Sequence, residues 1–128
     1  MLLFRDRVNA GWLTQSCATT ACHGGLNGGR FLLANRWRRT ERGMYTNFHI
    51  LNTYETANGL PMLDAEEPRL SAVLQMGLPR EQAVWPHPEV VGWRPAFRSE
   101  EDRWFVRAVE WIEGLYTPRP EYELDYVL

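Results

Sequence analysis

The sequence predicts a small, mostly α-helical domain with long loops. Three observations predict it. Residues 99–116 place Phe105, Ala108, Val109, Ile112 and Leu115 at helical spacing, flanked by Trp104 and Trp111. Residues 3–16 are loosely helical, with Leu3, Val8, Trp12 and Leu13 on one apolar side and Arg5, Asp6 and Arg7 solvated. Residues 79–98 are rich in proline, hold Trp85 and Trp93, and show no helical period. A structureless stretch of that length is uncommon in a small domain and is often functional. A chain of 128 residues suits one core. No internal repeat or boundary divides it, so residues 1–128 are read as a single domain.

The remaining elements follow in chain order. Residues 24–29 hold glycine at positions 24, 25, 28 and 29, a loop able to take positive φ. It is not a phosphate loop, because no Lys-Ser/Thr pair follows it. Residues 30–34 form a short apolar piece that could pair as a strand. Arg36, Arg38, Arg39 and Arg42 then cluster around Trp37; such clusters are usually solvated surface. Residues 44–57 are expected as a helix, with Tyr45, Phe48, Leu51 and Ile50 turned inward. Pro68 suits a first helical position, Leu70, Val73 and Leu74 give that helix its buried stripe, and Gly77 can end it. Ser99-Glu100-Glu101-Asp102 resembles a capping box and sets the start of the last helix at 99. Residues 117–128, with Pro118 and Pro120, read as an extended acidic tail.

Composition narrows the functions. A formal net charge of −2 is too balanced for a nucleic-acid binder. Every basic residue is Arg, which suits carboxylate recognition through the planar guanidinium, although a genomic bias toward Arg codons explains the same fact. No run of 18 apolar residues is present, so no segment is expected to span a membrane. Six Trp in so short a chain either fill a core or wall a bulky group.

The most informative segment is Cys17-Ala18-Thr19-Thr20-Ala21-Cys22-His23, which holds both cysteines of the chain. A Cys-His ending is the chemistry of covalent haem attachment. Two thiols meet two vinyl groups, and the imidazole after the second thiol ligates iron. The usual spacing has two residues between the cysteines; here there are four. On a regular α-helix, residues five apart are about 140° out of phase. One unbroken helix cannot offer both sulfurs to one porphyrin edge, so Ala18 to Ala21 are expected to bulge outward. Two other readings compete. A Cys17–Cys22 disulfide leaves His23 unexplained. A zinc site lacks a second cysteine pair, and adjacent Cys22 and His23 serve one tetrahedral ion poorly.

With His23 as the proximal ligand, the sixth position has five candidates: His87, Met76, His49, Met44 and Met62. An open position is the remaining possibility. His87 leads by context, because Pro86 and Pro88 stiffen the backbone on both sides of it. Met76 sits near a helix end, before Gly77 and Pro79.

At this point the chain resembles a c-type cytochrome. The order Cys17…Cys22-His23, a glycine loop, a long ligand-bearing loop and a last helix containing Trp111-Ile112 is similar to class I. More narrowly it resembles the planctomycete-type cytochrome c domains that carry a C-x-x-x-x-C-H motif. There a Pro-x-x-Ser-x-x-Leu helix recurs, as Pro68, Ser71 and Leu74 do here. The resemblance spans about residues 3–116 and departs from class I at position 87, where that pattern has Met. It implies a cytochrome c-like helical domain wrapped around one haem c, with the N-terminal helix packed across the C-terminal one.

The function expected is one-electron transfer with redox partner proteins, not enzyme catalysis. Cys17 and Cys22 would bind haem, and His23 and His87 would ligate iron, with Met76 or His49 as alternative distal ligands. Trp37, Trp85, Trp93 and Phe97 are candidates to cover the ring, and Arg36, Arg38, Arg39 or Arg94 to pair with propionates. Haem c is normally attached after export, so a periplasmic or otherwise exported setting is expected, with Met1 beginning a trimmed or mature fragment. The runner-up is a haem-based gas or redox sensor, or a peroxidase-like protein, with an open sixth site. The third reading is a haem-free interaction domain with a disulfide.

Overall fold

A computed structural model describes residues 2–17, 22, 23, 31, 33, 34 and 40–116. The architecture is all-helical, in agreement with the coarse fold expected. A single turn, α1 (Leu2–Phe4), runs directly into a π-helix over Arg5–Cys17. After it come α2 (Glu41–Thr53), a 3-10 turn at Pro68–Leu70, α3 (Ala72–Gln75), a second 3-10 turn at Arg80–Gln82, and α4 (Arg103–Tyr116). Among the described residues the sole β pairing is an isolated bridge between Glu55 and Pro61. No described helix is long and apolar enough to cross a membrane.

The π repeat changes which side chains face inward. Thr14 Oγ1 donates to Asn9 O and Gln15 Nε2 to Ala10 O, both across five residues. The wider i→i+5 repeat, about 4.4 residues per turn, aligns Phe4, Val8, Leu13 and Cys17 on the core side. Leu3, expected inside, is 44% exposed, and Phe4 takes its place at 0%. An α-helical count does not fit residues 5–17, because the segment follows a π repeat.

The N-terminal helix packs across α4. Phe4 lies against Trp111 with ring centroids 5.1 Å apart, and Arg7 pairs with Glu110 at 4.0 Å. Gly11 lies under Trp104, where an added Cβ would come within 2.6 Å of the indole. Phe48 of α2 completes the junction, with its ring 5.6 Å from Phe4 and 6.0 Å from Trp111.

Thr40 starts α2 by accepting the Gly43 N–H on its hydroxyl. The inward face is Met44, Asn47 and Leu51, with Phe48 half-buried. Tyr45, expected inside, is 52% exposed because it sits one residue off that stripe. The helix expected from Pro68 is broken at Ser71, whose backbone is extended (φ −53°, ψ 133°). Ser71 Oγ accepts from Asp64 N rather than capping α3. The carbonyls of Pro61 and Met62 take the Ala72 and Val73 amides instead. The last helix begins at Arg103, four residues later than expected. Asp102 is its cap: one carboxylate oxygen accepts the Trp104 N–H and the other the Arg98 N–H. The Ser99 hydroxyl accepts the Glu101 N–H and its carbonyl the Asp102 N–H.

The expected tail 117–128, the glycine run 24–29 and the bulge over 18–21 lie outside the described residues. Of the segment 30–34, Phe31 and Leu33 are buried and unpaired with any strand.

Candidate functional site

The N-terminal helix delivers Cys17 at its last position, and the Cys17 carbonyl accepts the His23 amide at 3.0 Å. That bond spans six residues, against four in an α-helix. His23 in turn holds the segment that follows it. Its carbonyl accepts the Leu33 N–H at 2.7 Å, and its Nδ1 lies 2.7 Å from Phe31 O. A carbonyl can only accept, so Nδ1 carries the proton in this contact. Phe31 also packs on the imidazole, with centroids 4.9 Å apart.

Both thiols are free, and no disulfide joins them. Burial pushes the Cys17 thiol up to about 12, and the nearby Cys22 adds to the shift. Cys17 is therefore a protonated thiol packed against the core.

His87 arrives from the long loop, and its imidazole lies 6.2 Å from that of His23, centroid to centroid, with the planes crossing at 68°. The loop is fastened at several points. Buried Gln75 accepts the Val84 N–H on Oε1 and donates from Nε2 to Arg69 O. Trp85 Nε1 donates to Leu70 O. Arg80 Nε donates to the His87 carbonyl at 2.7 Å. At the far end the Gly77 carbonyl accepts both the Ala96 and Phe97 amides. His87 Nδ1 lies 2.8 Å from Pro88 O, so Nδ1 carries the proton in this contact too. Burial holds His87 below the usual histidine range. Its bond to Pro88 opposes that shift, and the charges of His23 and Arg80 add to it. The neutral imidazole is the form that ligates a metal.

The other expected residues are placed as follows. His49 is exposed on α2, Met44 and Met62 are buried in the core, and Met76 is half-buried just after α3. Trp93 stacks on His87, with centroids 5.0 Å apart and planes 14° from parallel. Phe97 is core, between Trp12 and Phe105. Arg94 is exposed. Trp37, Arg36, Arg38 and Arg39 lie outside the described residues. Among the described residues no three His, Cys, Asp or Glu side chains gather as a metal site, so the zinc reading gains no donor set.

Two features escaped the sequence reading. Trp12 Nε1 is buried with no hydrogen-bond partner, the sole such side-chain atom among the described residues. A buried N–H left unpaired is costly, and a group that arrives with an acceptor would relieve it. The second is a buried amide bridge. Asn47 Nδ2 donates to Asn9 Oδ1 and to Ala34 O, and its Oδ1 accepts the Ala34 N–H. Nothing in composition marks Trp12. Asn47 was detectable, because it falls on the apolar stripe of Met44, Phe48 and Leu51.

Comparison with protein-family models, with curated proteins and with solved structures found no match.

Proposed function

We propose that this chain is a mono-haem c-type cytochrome that passes single electrons between redox partner proteins. Cys17 and Cys22 hold the haem through thioethers, and His23 and His87 ligate the iron. The observation that carries the reading is the approach of two imidazoles 64 residues apart in the chain. With a metal–nitrogen bond of about 2 Å, each ring centroid lies about 3 Å from the metal, so two rings across one metal are about 6 Å apart. The 6.2 Å between His23 and His87 fits that separation.

The local chemistry supports the same donors. Backbone carbonyls hold both Nδ1 protons, as they commonly do behind a ligating histidine, and in the neutral rings the lone pairs are left on Nε2. The free thiols precede the proximal imidazole in chain order. The packing of the N-terminal helix across α4 is in keeping with the resemblance.

Bound haem supplies a one-electron iron couple. The chain's residues set its level. Two imidazoles, the stronger donors, favour a lower potential than His with Met. The cross-linked loop at Gln75, Leu70, Arg80 and Gly77 keeps His87 at a fixed reach. Attachment of haem c is normally completed after export, so an exported compartment goes with this reading.

The test is expression with haem-maturation machinery, followed by a pyridine haemochrome spectrum. Two thioether bonds and a low-spin, six-coordinate haem that ignores carbon monoxide are expected. A colourless protein would sink the proposal. In His87→Ala the low-spin spectrum should be lost and carbon monoxide should bind. Unchanged Soret and visible bands would remove His87 from the iron.

A further inference from the structure

The long loop fixes the His87 backbone and then adds a control on its ring. The backbone is set by Pro86, Pro88 and the Arg80 bond to the His87 carbonyl. Those contacts act on the backbone, and the His87 Nδ1 contact with Pro88 O at 2.8 Å restrains the ring at one edge. Trp93 adds a flat wall against its face. Its indole lies face to face with the imidazole, 5.0 Å away and 14° from parallel. Trp93 is itself fixed by a tight turn, in which its N–H donates to Val90 O at 3.1 Å and Gly92 takes φ +85°. An imidazole that rotates about its own axis would have to push into the indole face.

We propose that Trp93 is a positioning residue that holds the His87 imidazole plane at a steep angle to that of His23, and so sets the axial ligand field at the iron. This rests on the bis-histidine reading above. It gives Trp93 a role other than covering the porphyrin.

The angle has an electronic meaning. An axial imidazole donates π density mainly into the iron d orbital perpendicular to its ring plane. Parallel rings raise one orbital of the pair and split the two. Rings crossed at a steep angle raise both and leave them close in energy. Rings held at the present 68° would belong to the second regime with haem bound. Orientation of a ligand by its outer neighbours is a lever on a haem that acts without changing the ligand itself.

Low-temperature EPR of the oxidised, haem-loaded protein reads the angle directly. The native protein should give a strongly anisotropic low-spin signal with one large g value. Trp93→Leu removes the flat face, and its signal should move toward the three-line rhombic type of near-parallel rings, or lose low-spin character as His87 leaves the iron. Trp93→Phe keeps a flat face and should retain the native signal. Trp93 is half-buried on a surface loop, and far-ultraviolet circular dichroism checks that each variant folds. If Trp93→Leu were unfolded, Trp93→Met supplies the second non-aromatic test with a larger side chain. An EPR signal unchanged by loss of the aromatic face, with both histidines still bound by the optical spectrum, overturns the role of Trp93 alone. An optical spectrum of the native protein without two bound histidines overturns the ligation itself.

Discussion

Asn47 donates its side-chain amide to Asn9 Oδ1 over 2.9 Å, and both side chains are buried. The same amide group accepts the Ala34 N–H and donates to the Ala34 carbonyl. Three segments meet at one side chain: the N-terminal helix, α2 and the stretch that returns from His23. Because Leu33 is bonded to the His23 carbonyl and Phe31 to its ring, Asn47 supports the imidazole at second hand. Asn47→Leu keeps the approximate volume but strips the Ala34 N–H of its acceptor and Asn9 of a donor. The expected loss is about 2–4 kcal/mol of folding free energy, since a buried polar group without its partner costs about 1–3 kcal/mol. Urea denaturation followed by tryptophan fluorescence measures it. A change below about 0.5 kcal/mol would remove the bridge from the stability of this fold.

Gly77 marks the second fixed point. An added Cβ there would come within 2.7 Å of Phe97 Cε2 and 3.0 Å of Cδ2. Phe97 has no room to retreat, because it is 1% exposed and wedged between Trp12 and Phe105. Gly77→Ala should therefore cost about 1–3 kcal/mol, the usual range for overpacking a core. Since Gly77 O also takes the Ala96 and Phe97 amides, the loop end should loosen with it. Phe97→Leu in the same chain makes space, so the double variant should lose less than the two single losses added. Strict additivity in thermal unfolding would show that the contact is not the cause.

Gly11 offers a contrast at the helix crossing. Its added Cβ would meet the Trp104 ring at 2.6 Å, but Trp104 is only half-buried and packs beneath Arg103 and Arg107 at the surface. The indole can swing toward solvent. Gly11→Ala should cost less than Gly77→Ala, and the more branched Gly11→Val should cost more than Gly11→Ala. Melting temperatures of the three variants give the order. Gly11→Ala at the bottom of the series would mean that the crossing, not the loop, is the tighter contact.

These three sites show what the sequence could and could not carry. The last helix is legible from its spacing and the lack of an α-helix over 79–98 from its prolines, which act locally, although Arg80–Gln82 forms a 3-10 turn there. Pro86 and Pro88 are a local reason for a stiff backbone at His87, whereas the 6.2 Å approach of its ring to His23 depends on the fold. Leu3 and Tyr45 were misplaced for opposite reasons. At Leu3 the helix follows a π repeat, which an α-helical count cannot register. At Tyr45 the inward position falls one residue earlier, on Met44, while Phe48 and Leu51 lie where the period puts them. Ser71 has the spacing of a helix interior, yet its hydroxyl is committed to Asp64 N, a contact decided by the fold. The stacking of Trp93 on His87 was beyond reach for the same reason, because a turn at Gly92 brings the rings together.

On the proposed haem reading, Trp12 tests for a difference between the bare chain and the loaded one. Its Nε1–H is buried without a partner, which costs about 1–3 kcal/mol in the haem-free protein. Trp12→Phe removes that penalty while losing some packing against Phe97, so the two terms nearly cancel there. If the bound group supplies an acceptor, the haem-loaded protein loses a made hydrogen bond as well as the packing. Guanidinium denaturation should then show a larger loss for Trp12→Phe in the loaded form. Equal losses in the two forms would mean that the Trp12 N–H meets nothing on the haem.

Cys17 supplies a dependence on pH that thioether formation should abolish. Burial pushes its thiol up from 9.0 to about 12. Between those values the unfolded chain has released the proton and the folded chain keeps it. The folded state therefore binds more protons, and stability falls as pH rises. Below pH 9.0 both states hold the proton and the group contributes no slope. The haem-free protein should thus lose stability through alkaline pH more steeply than Cys17→Ala, with the two curves parallel near neutrality. A thioether carries no proton, so the haem-loaded protein should follow the alanine variant rather than the free thiol. Urea midpoints from pH 7 to pH 11 decide it. A haem-loaded protein that kept the steep alkaline loss would mean that Cys17 is not bonded, and only Cys22 would be left to hold the haem.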